Sequence, residues 1–187
     1  NTVKEFQYNS TMSEDDWKSA VLKLSKKIQE DAAKRGSEIH DALENYYTNI
    51  KMPKIKVDKD IVKPVIEFIK DEFPEVEWEP EVSFGAKKYA GKSDLISRKS
   101  SHIVLDFKTK SATDLSTIKG YPEHCMQLAA YREGLDIPDA RCYNLYISVE
   151  KPGEFKLVEW SEKDLRRHYK MFMHLLEFWY LSVNWEK

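Results

Sequence analysis

Between Tyr89 and Lys110 the chain reads YAGKSDLIS, RKSS, HIVLDFKTK, and it sets charged side chains where an ordinary strand would be apolar. Tyr89 to Ile96 alternates, and Ile103 to Phe107 is β-branched and aromatic, so both stretches predict strands joined by a short turn at Arg98 to Ser101. Asp94 and Asp106 lie at equal sequence distances from Ser100. A hairpin folded about that residue would make them cross-strand partners ~5 Å apart. Residues two apart on a strand share a face, which puts Lys108 beside Asp106 and turns Phe107 the other way.

Two carboxylates at that separation repel, so the arrangement is unfavourable unless a cation sits between them. Hard divalent ions prefer carboxylate and carbonyl oxygens plus water, so Mg²⁺ or Mn²⁺ suits Asp94, Asp106 and the Phe107 carbonyl. A lysine at such an ion could orient or deprotonate a bound water, or stabilise an anionic transition state. The plainer alternative is a solvated face on an edge hairpin.

Gly91-Lys92-Ser93-Asp94, Asp106-Phe107-Lys108 and Gln127-Leu128-Ala129-Ala130-Tyr131 follow one another as G-x-x-D, D-x-K and Q-x-x-x-Y, with Arg35-Gly36-Ser37-Glu38-Ile39-His40 upstream. In that order, over about residues 35 to 131, they resemble the RecB-like exonuclease branch of the PD-(D/E)XK nuclease superfamily. That branch includes the mitochondrial genome-maintenance exonuclease and phage relatives. Each fragment alone is a weak signal, and their order carries the resemblance. It implies a central mixed sheet flanked by helices, the restriction-endonuclease-like nuclease core, with N-terminal helices added. It also implies that His40 faces a metal site, as a ligand or a neighbour of the scissile phosphate, and that Gln127 and Tyr131 orient the strand.

A chain of 187 residues with 41% hydrophobic content is long enough for one domain with a real core. Residues 1–74 would form its helical part carrying His40, and 75–187 its sheet and last helix. With a net charge of -2, no overall positive field draws in a polyanion, so nucleic-acid binding must be local. Lys87, Lys88, Lys92, Arg98, Lys99, Lys110 and Lys119 gather around the hairpin in sequence. Cys125 and Cys142 are too few for the four-cysteine iron-sulfur cluster that some RecB-like relatives carry, and read as buried free thiols in a reducing compartment. No apolar run approaches ~20 residues, and no signal-peptide pattern opens the chain, so no membrane span and an intracellular setting are expected. A start at Asn1 rather than Met points to a trimmed or partly represented chain.

Residues 1 to 12 have no clear period. Ser13 with Glu14, Asp15 and Asp16 predicts a helix start, and Trp17, Val21, Leu24 and Ile28 trace one face. That helix is expected to stop near Lys34, before Gly36, with Ser37 capping a second one that carries His40 and Glu44 on one face. Met52 to Val57 reads as a connector. Asp58 is expected to cap a helix running to Phe73, and Pro74 ends it. Glu75 to Phe84 alternates as a strand in which Glu77, Glu79 and Glu81 share a face, either a solvated edge or, for Glu79, an acidic position of the relatives.

Ser111 to Gly120 is polar and long enough to serve as a flap. Pro122 to Gly134 predicts a helix that projects Gln127 and Tyr131 together. Arg141 to Val149 and Phe155 to Trp160 predict two more strands, and Ser161 caps a last helix. Its aromatic stripe of Phe172, Phe178, Trp179 and Tyr180, with Trp185, is expected to be core rather than a base-stacking platform, and His168 and His174 surface or packing residues.

The expectation is therefore an α/β domain that hydrolyses DNA phosphodiester bonds with Mg²⁺ or Mn²⁺. Its ligands would be Asp94, Asp106, the Phe107 carbonyl and His40. Lys108 would position the attacking water and offset charge on the phosphate. Kinship with the RecB-like branch favours an exonuclease on single-stranded DNA or DNA ends in recombination, repair or replication. A structure-specific endonuclease with the same site, or a non-catalytic nucleic-acid-binding module on the same scaffold, are the alternatives.

Overall fold

The computed structural model describes residues 12–48, 59–99 and 102–183. Ser13 caps α1 (Glu14–Tyr47), its hydroxyl accepting the Asp16 N–H at 3.1 Å, with three acidic residues in the first turn where the helix dipole favours them. The helix does not break at Gly36, as the sequence suggested. Ser37 stays helical and its hydroxyl bonds back to the Ala33 carbonyl at 3.2 Å. Glycine serves closeness here rather than a bend, because a Cβ at position 36 would stand 2.9 Å from Thr109 Oγ1. The long helix is thus brought against the sheet just before His40.

Next comes α2 (Lys59–Glu72), and its expected cap Asp58, like the connector before it, lies outside the described residues. Strands β1 (Glu79–Gly85), β2 (Ala90–Ser97) and β3 (Ile103–Lys110) lead through α3 (Pro122–Gly134) to β4 (Arg141–Ser148) and β5 (Phe155–Trp160). Helix α4 (Glu162–Ser182) follows, capped by Ser161. The sheet order is β1-β2-β3-β4-β5, with β3 and β4 parallel and every other pair antiparallel. The parallel pair requires a crossover, and α3 supplies it.

Helices cover both faces of this mixed sheet, as expected. Ile39, Leu43, Val65 and Ile69 from α1 and α2 pack with Leu105, Phe107 and Leu145 on one side. On the other, Cys125, Leu128 and Leu165 from α3 and α4 pack with Ile96, Val104 and Cys142. Being covered twice, β3 and β4 read as nearly unbroken apolar runs. A polar side chain within them therefore stands out as one that the fold had to satisfy.

Two other expectations change. The half of α4 that was to be core is open: Leu175, Phe178 and Trp179 are 55%, 70% and 50% exposed. Only Phe172 and Tyr180 of that stripe reach back, to the Tyr89 ring and the Lys88 carbonyl, and Trp185 lies outside the described residues. The Ser111–Gly120 segment is fastened rather than free. Leu115 is fully buried, Ser148 Oγ donates to the Ala112 carbonyl at 2.5 Å, and Gly120 lies against the Trp160 ring. His168 packs against Trp160, one of the two outcomes expected for it.

Candidate active site

β2 and β3 pair as Leu95 with Leu105, Ile96 with Val104 and Ser97 with Ile103, a register centred on residue 100. One step further would set Asp94 opposite Asp106, but the ladder ends there and the strands part. Phe107 N–H, the next donor on that side of β3, bonds instead to Asp94 Oδ2 at 2.7 Å. A carboxylate has taken the place of a strand carbonyl. The Phe107 carbonyl points the same way as its N–H, as in any extended residue, so it too faces the opening.

Asp106 is the most deeply buried acid at this fork, 2% exposed. Lys108 Nζ lies 2.8 Å from its Oδ2 and 3.1 Å from its Oδ1. Asn144, fully buried beside it in the parallel register, donates Nδ2–H to Oδ2 at 2.8 Å and accepts the Trp160 indole N–H at 2.8 Å. Burial, then the charge of Asp94, pushes the Asp106 carboxyl up to about 6 against the pull of Lys108. The carboxylate pair thus retains repulsion that its own lysine does not remove.

Lys108 also donates to Gln127 Oε1 at 2.8 Å, and Gln127 Nε2–H donates to the Tyr131 hydroxyl at 2.7 Å. The ammonium has no acceptor lone pair, so it fixes which end of the amide faces it. A single chain of hydrogen bonds then runs from Trp160 through Asn144, Asp106, Lys108 and Gln127 to Tyr131. Gly91 makes room for its end, since a Cβ there would stand 2.7 Å from the Phe84 ring and 3.0 Å from the Tyr131 ring.

α1 brings His40 to the fork from the opposite face. Its ring meets the Phe107 ring edge-on at 5.8 Å, and its Nδ1 is 3.6 Å from Asp94 Oδ2, an ion-pair separation rather than a hydrogen bond. Burial lowers the His40 pKa, but Asp94 and then Asp106 outweigh it, and the net direction is up.

All seven residues singled out from the sequence therefore meet at one place: His40, Asp94, Asp106, Phe107, Lys108, Gln127 and Tyr131. Sequence reading missed Asn144. Its signal was a lone amide inside an otherwise apolar strand. The basic residues are less concentrated than the sequence suggested. Arg98 and Lys99 pair with Glu79 and Glu77 on the turn side of the hairpin, and Lys92 pairs with Glu81. Those pairings account for Glu77 and Glu79 as an edge. Glu81 has φ 55° and is the position between Pro80 and Val82 that the β1–β2 register leaves unpaired. The two cysteines are buried free thiols, each pushed by burial up to about 12.

The donor set suits a hard divalent ion in kind: two repelling carboxylates, a strand carbonyl facing the same opening, and an imidazole. In position, Asp106 gives its oxygens to Lys108 and Asn144. Among the described residues, no group of three or more His, Cys, Asp and Glu side chains is gathered as a ready cage. An ion would have to draw Asp106 from Lys108 and fill its remaining positions with water.

The mixed five-stranded sheet with helices on both faces and a polar network at a strand fork defines an α/β protein. The chain matches no protein-family model and no curated protein. Among solved structures it is similar to the crystal structure of a Eubacterium rectale protein named "Putative exonuclease". The TM-score is 0.54 at 13% identity, over 82% of this chain and 69% of that one. At that identity the likeness is one of fold. A second structure, SSO0001, is 19% identical over 59% of this chain and 55% of that one, with a TM-score of 0.32, too low to carry an argument. Among the described residues no helix is long and apolar enough to cross a membrane.

Proposed function

We propose that the chain is a divalent-metal-dependent deoxyribonuclease that hydrolyses DNA phosphodiester bonds, acting as a RecB-like exonuclease on single strands or ends. The carrying observation is Lys108, whose ammonium bridges the buried Asp106 and Gln127 at a fork that also holds Asp94 and His40. A binding module has no use for a desolvated, mutually repelling carboxylate pair, whereas a hydrolase uses one to hold a cation. The sheet fold shared with the Eubacterium rectale protein is consistent with this reading.

Asp94, Asp106, the Phe107 carbonyl and His40 would hold Mg²⁺ or Mn²⁺, which supplies Lewis-acid polarisation of the phosphate and a more acidic water. Lys108, held by Gln127 on one side and Asp106 on the other, would set its ammonium toward the phosphate, orient the attacking water and offset the negative charge that builds on the oxygens. Tyr131 anchors Gln127 and offers its hydroxyl to the strand.

The test incubates end-labelled single-stranded, duplex and covalently closed circular DNA with Mg²⁺, Mn²⁺ or chelator, comparing wild type with Asp106→Ala and Lys108→Ala. Metal-dependent loss of linear strands with circles spared is the expected result. Cut circles would make it an endonuclease with the same site. No cleavage above the variants with either metal would defeat the enzyme reading and leave a binding module.

A further inference from the structure

A second cationic spot lies two strand positions beyond Lys108, on the same face of β3. Lys110 Nζ stands 4.3 Å from the centre of the Tyr121 ring and 5.8 Å from that of Tyr146. Lys108 is matched by Asp106, but among the described residues no carboxylate pairs with Lys110. Its neighbour Tyr121 is the N-cap of α3, and no side chain caps that helix end. An unmatched ammonium at the positive end of a helix is an unfavourable placement on its own.

His124, in the first turn of α3, adds a donor to the same spot. Its Nδ1 is 2.8 Å from the hydroxyl of the fully buried Tyr146, and its ring is 5.2 Å from that of Tyr121. His124 Nδ1 and the Tyr146 hydroxyl share one hydrogen bond, and with the phenol as donor the neutral imidazole carries its N–H on Nε2. Burial, then Lys108 and Lys110, lowers the His124 pKa to about 4, so the ring is neutral at pH 7 and adds a hydrogen-bond donor without a third charge. Glu123 is the acid nearest in sequence; it is exposed and makes no ion pair with Lys110 among the described residues.

A cation held by aromatic rings, a neutral N–H donor and an uncapped helix end, with no carboxylate paired to the cation among the described residues, form an arrangement that an anion completes. We propose that Lys110 and His124 form a phosphate subsite beside the Asp106–Lys108 site, taking a backbone phosphate of the nucleic-acid strand next to the one cleaved. This rests on the nuclease reading and adds to it the point at which the strand is gripped. The subsite lies on the β4 side of Lys108, because Tyr146 is the β4 residue in register with Lys108. It fixes the direction in which the strand leaves the fork.

The test measures binding of a short fluorescein-labelled oligothymidylate to the full chain in chelator, by anisotropy across a range of potassium chloride. Lys110→Gln should bind about 5- to 10-fold more weakly at low salt, with the slope of log K against log salt reduced by about 0.7, the amount expected for one single-strand phosphate contact. Lys110→Arg should keep the slope. His124→Leu should weaken binding about 3-fold without changing the slope, because it removes a hydrogen bond and no charge. Lys99→Gln, which removes a lysine already paired with Glu77, should change neither quantity. If Lys110→Gln keeps the affinity and slope of the wild type, the subsite is refuted and the nuclease reading stands. If the wild-type chain does not bind the strand, both fail together.

Discussion

Gln127 Oε1 accepts a 2.8 Å hydrogen bond from Lys108 Nζ, which ties a helix to a strand at the point where the ammonium must be held still. Without that acceptor the lysine is fixed only by Asp106, the residue an arriving ion would draw away. Gln127→Ala should lower kcat about 10-fold on an end-labelled strand and leave KM nearly unchanged. Lys108→Ala should lower kcat by about 10²–10³, the usual range for losing a stabilising donor in a transition state. Full activity in Gln127→Ala would show that the amide is only packing.

Asn144 supports the same acid from below. Replacing it with leucine leaves Asp106 Oδ2 short of one donor and the Trp160 indole N–H without its acceptor, both away from water. Each such loss costs about 1–3 kcal/mol, so Asn144→Leu should lower Tm by roughly 5–15 °C. Asn144→Asp should also be destabilised at pH 7, because it sets a carboxylate against Asp106, but should recover as pH falls and the two share a proton. A melt of Asn144→Asp that is insensitive to acid would contradict this.

The α3–α4 contact has its own pH dependence. Arg132 is 2% exposed and bonds Glu162 through Nη1 at 2.6 Å, and Arg166 Nε reaches the same carboxylate at 2.7 Å. The hydrogen bonds from Arg132 and then Arg166 hold the Glu162 carboxyl down at about 2, against an ordinary 4.5. Between those values the unfolded chain binds more protons than the folded one, so stability falls as pH falls. The Glu162 side chain is 48% exposed, so water screens part of the gain. Glu162→Gln should lower Tm by a constant amount above about pH 5, and the gap to wild type should close as pH approaches 2. A gap that persists there would mean that the pair does not act through charge.

The hairpin and the motif residues were legible because strand pairing is arithmetic. Once Ser100 is taken as the turn, Asp94 and Asp106 follow, and Lys108 follows from the two-residue repeat. Helix ends were less legible. Gly36 looks like a helix breaker in sequence, and only the 2.9 Å approach to Thr109 shows why a glycine sits in mid-helix. The α4 stripe misled for a related reason: periodicity says which residues share a face, not whether a neighbouring element covers that face. Asn144 was hidden because its meaning depends on its neighbour in the parallel ladder, 38 residues away. Lys110 was legible only as one of several basic residues near the hairpin, and His124 was hidden, since what sets the two apart is that no carboxylate pairs with Lys110 among the described residues.

Gly91 offers the sharpest check of the site's packing, because the ring it faces cannot retreat. Phe84 would lie 2.7 Å from a Cβ at position 91, and on its other side it would lie 2.1 Å from a Cβ at Gly134. A methyl at 91 therefore cannot be absorbed by Phe84 and must push Tyr131, whose ring would be 3.0 Å away, off Gln127. Gly91→Ala should cost about 1–3 kcal/mol and lower activity in proportion to the loss of Gln127's anchor. Adding Phe84→Leu opens the space, so the double variant should be more active than Gly91→Ala alone, and the coupling should be non-additive by at least about 0.5 kcal/mol. Strict additivity in melts and in kcat would mean that Tyr131 is not held through this contact.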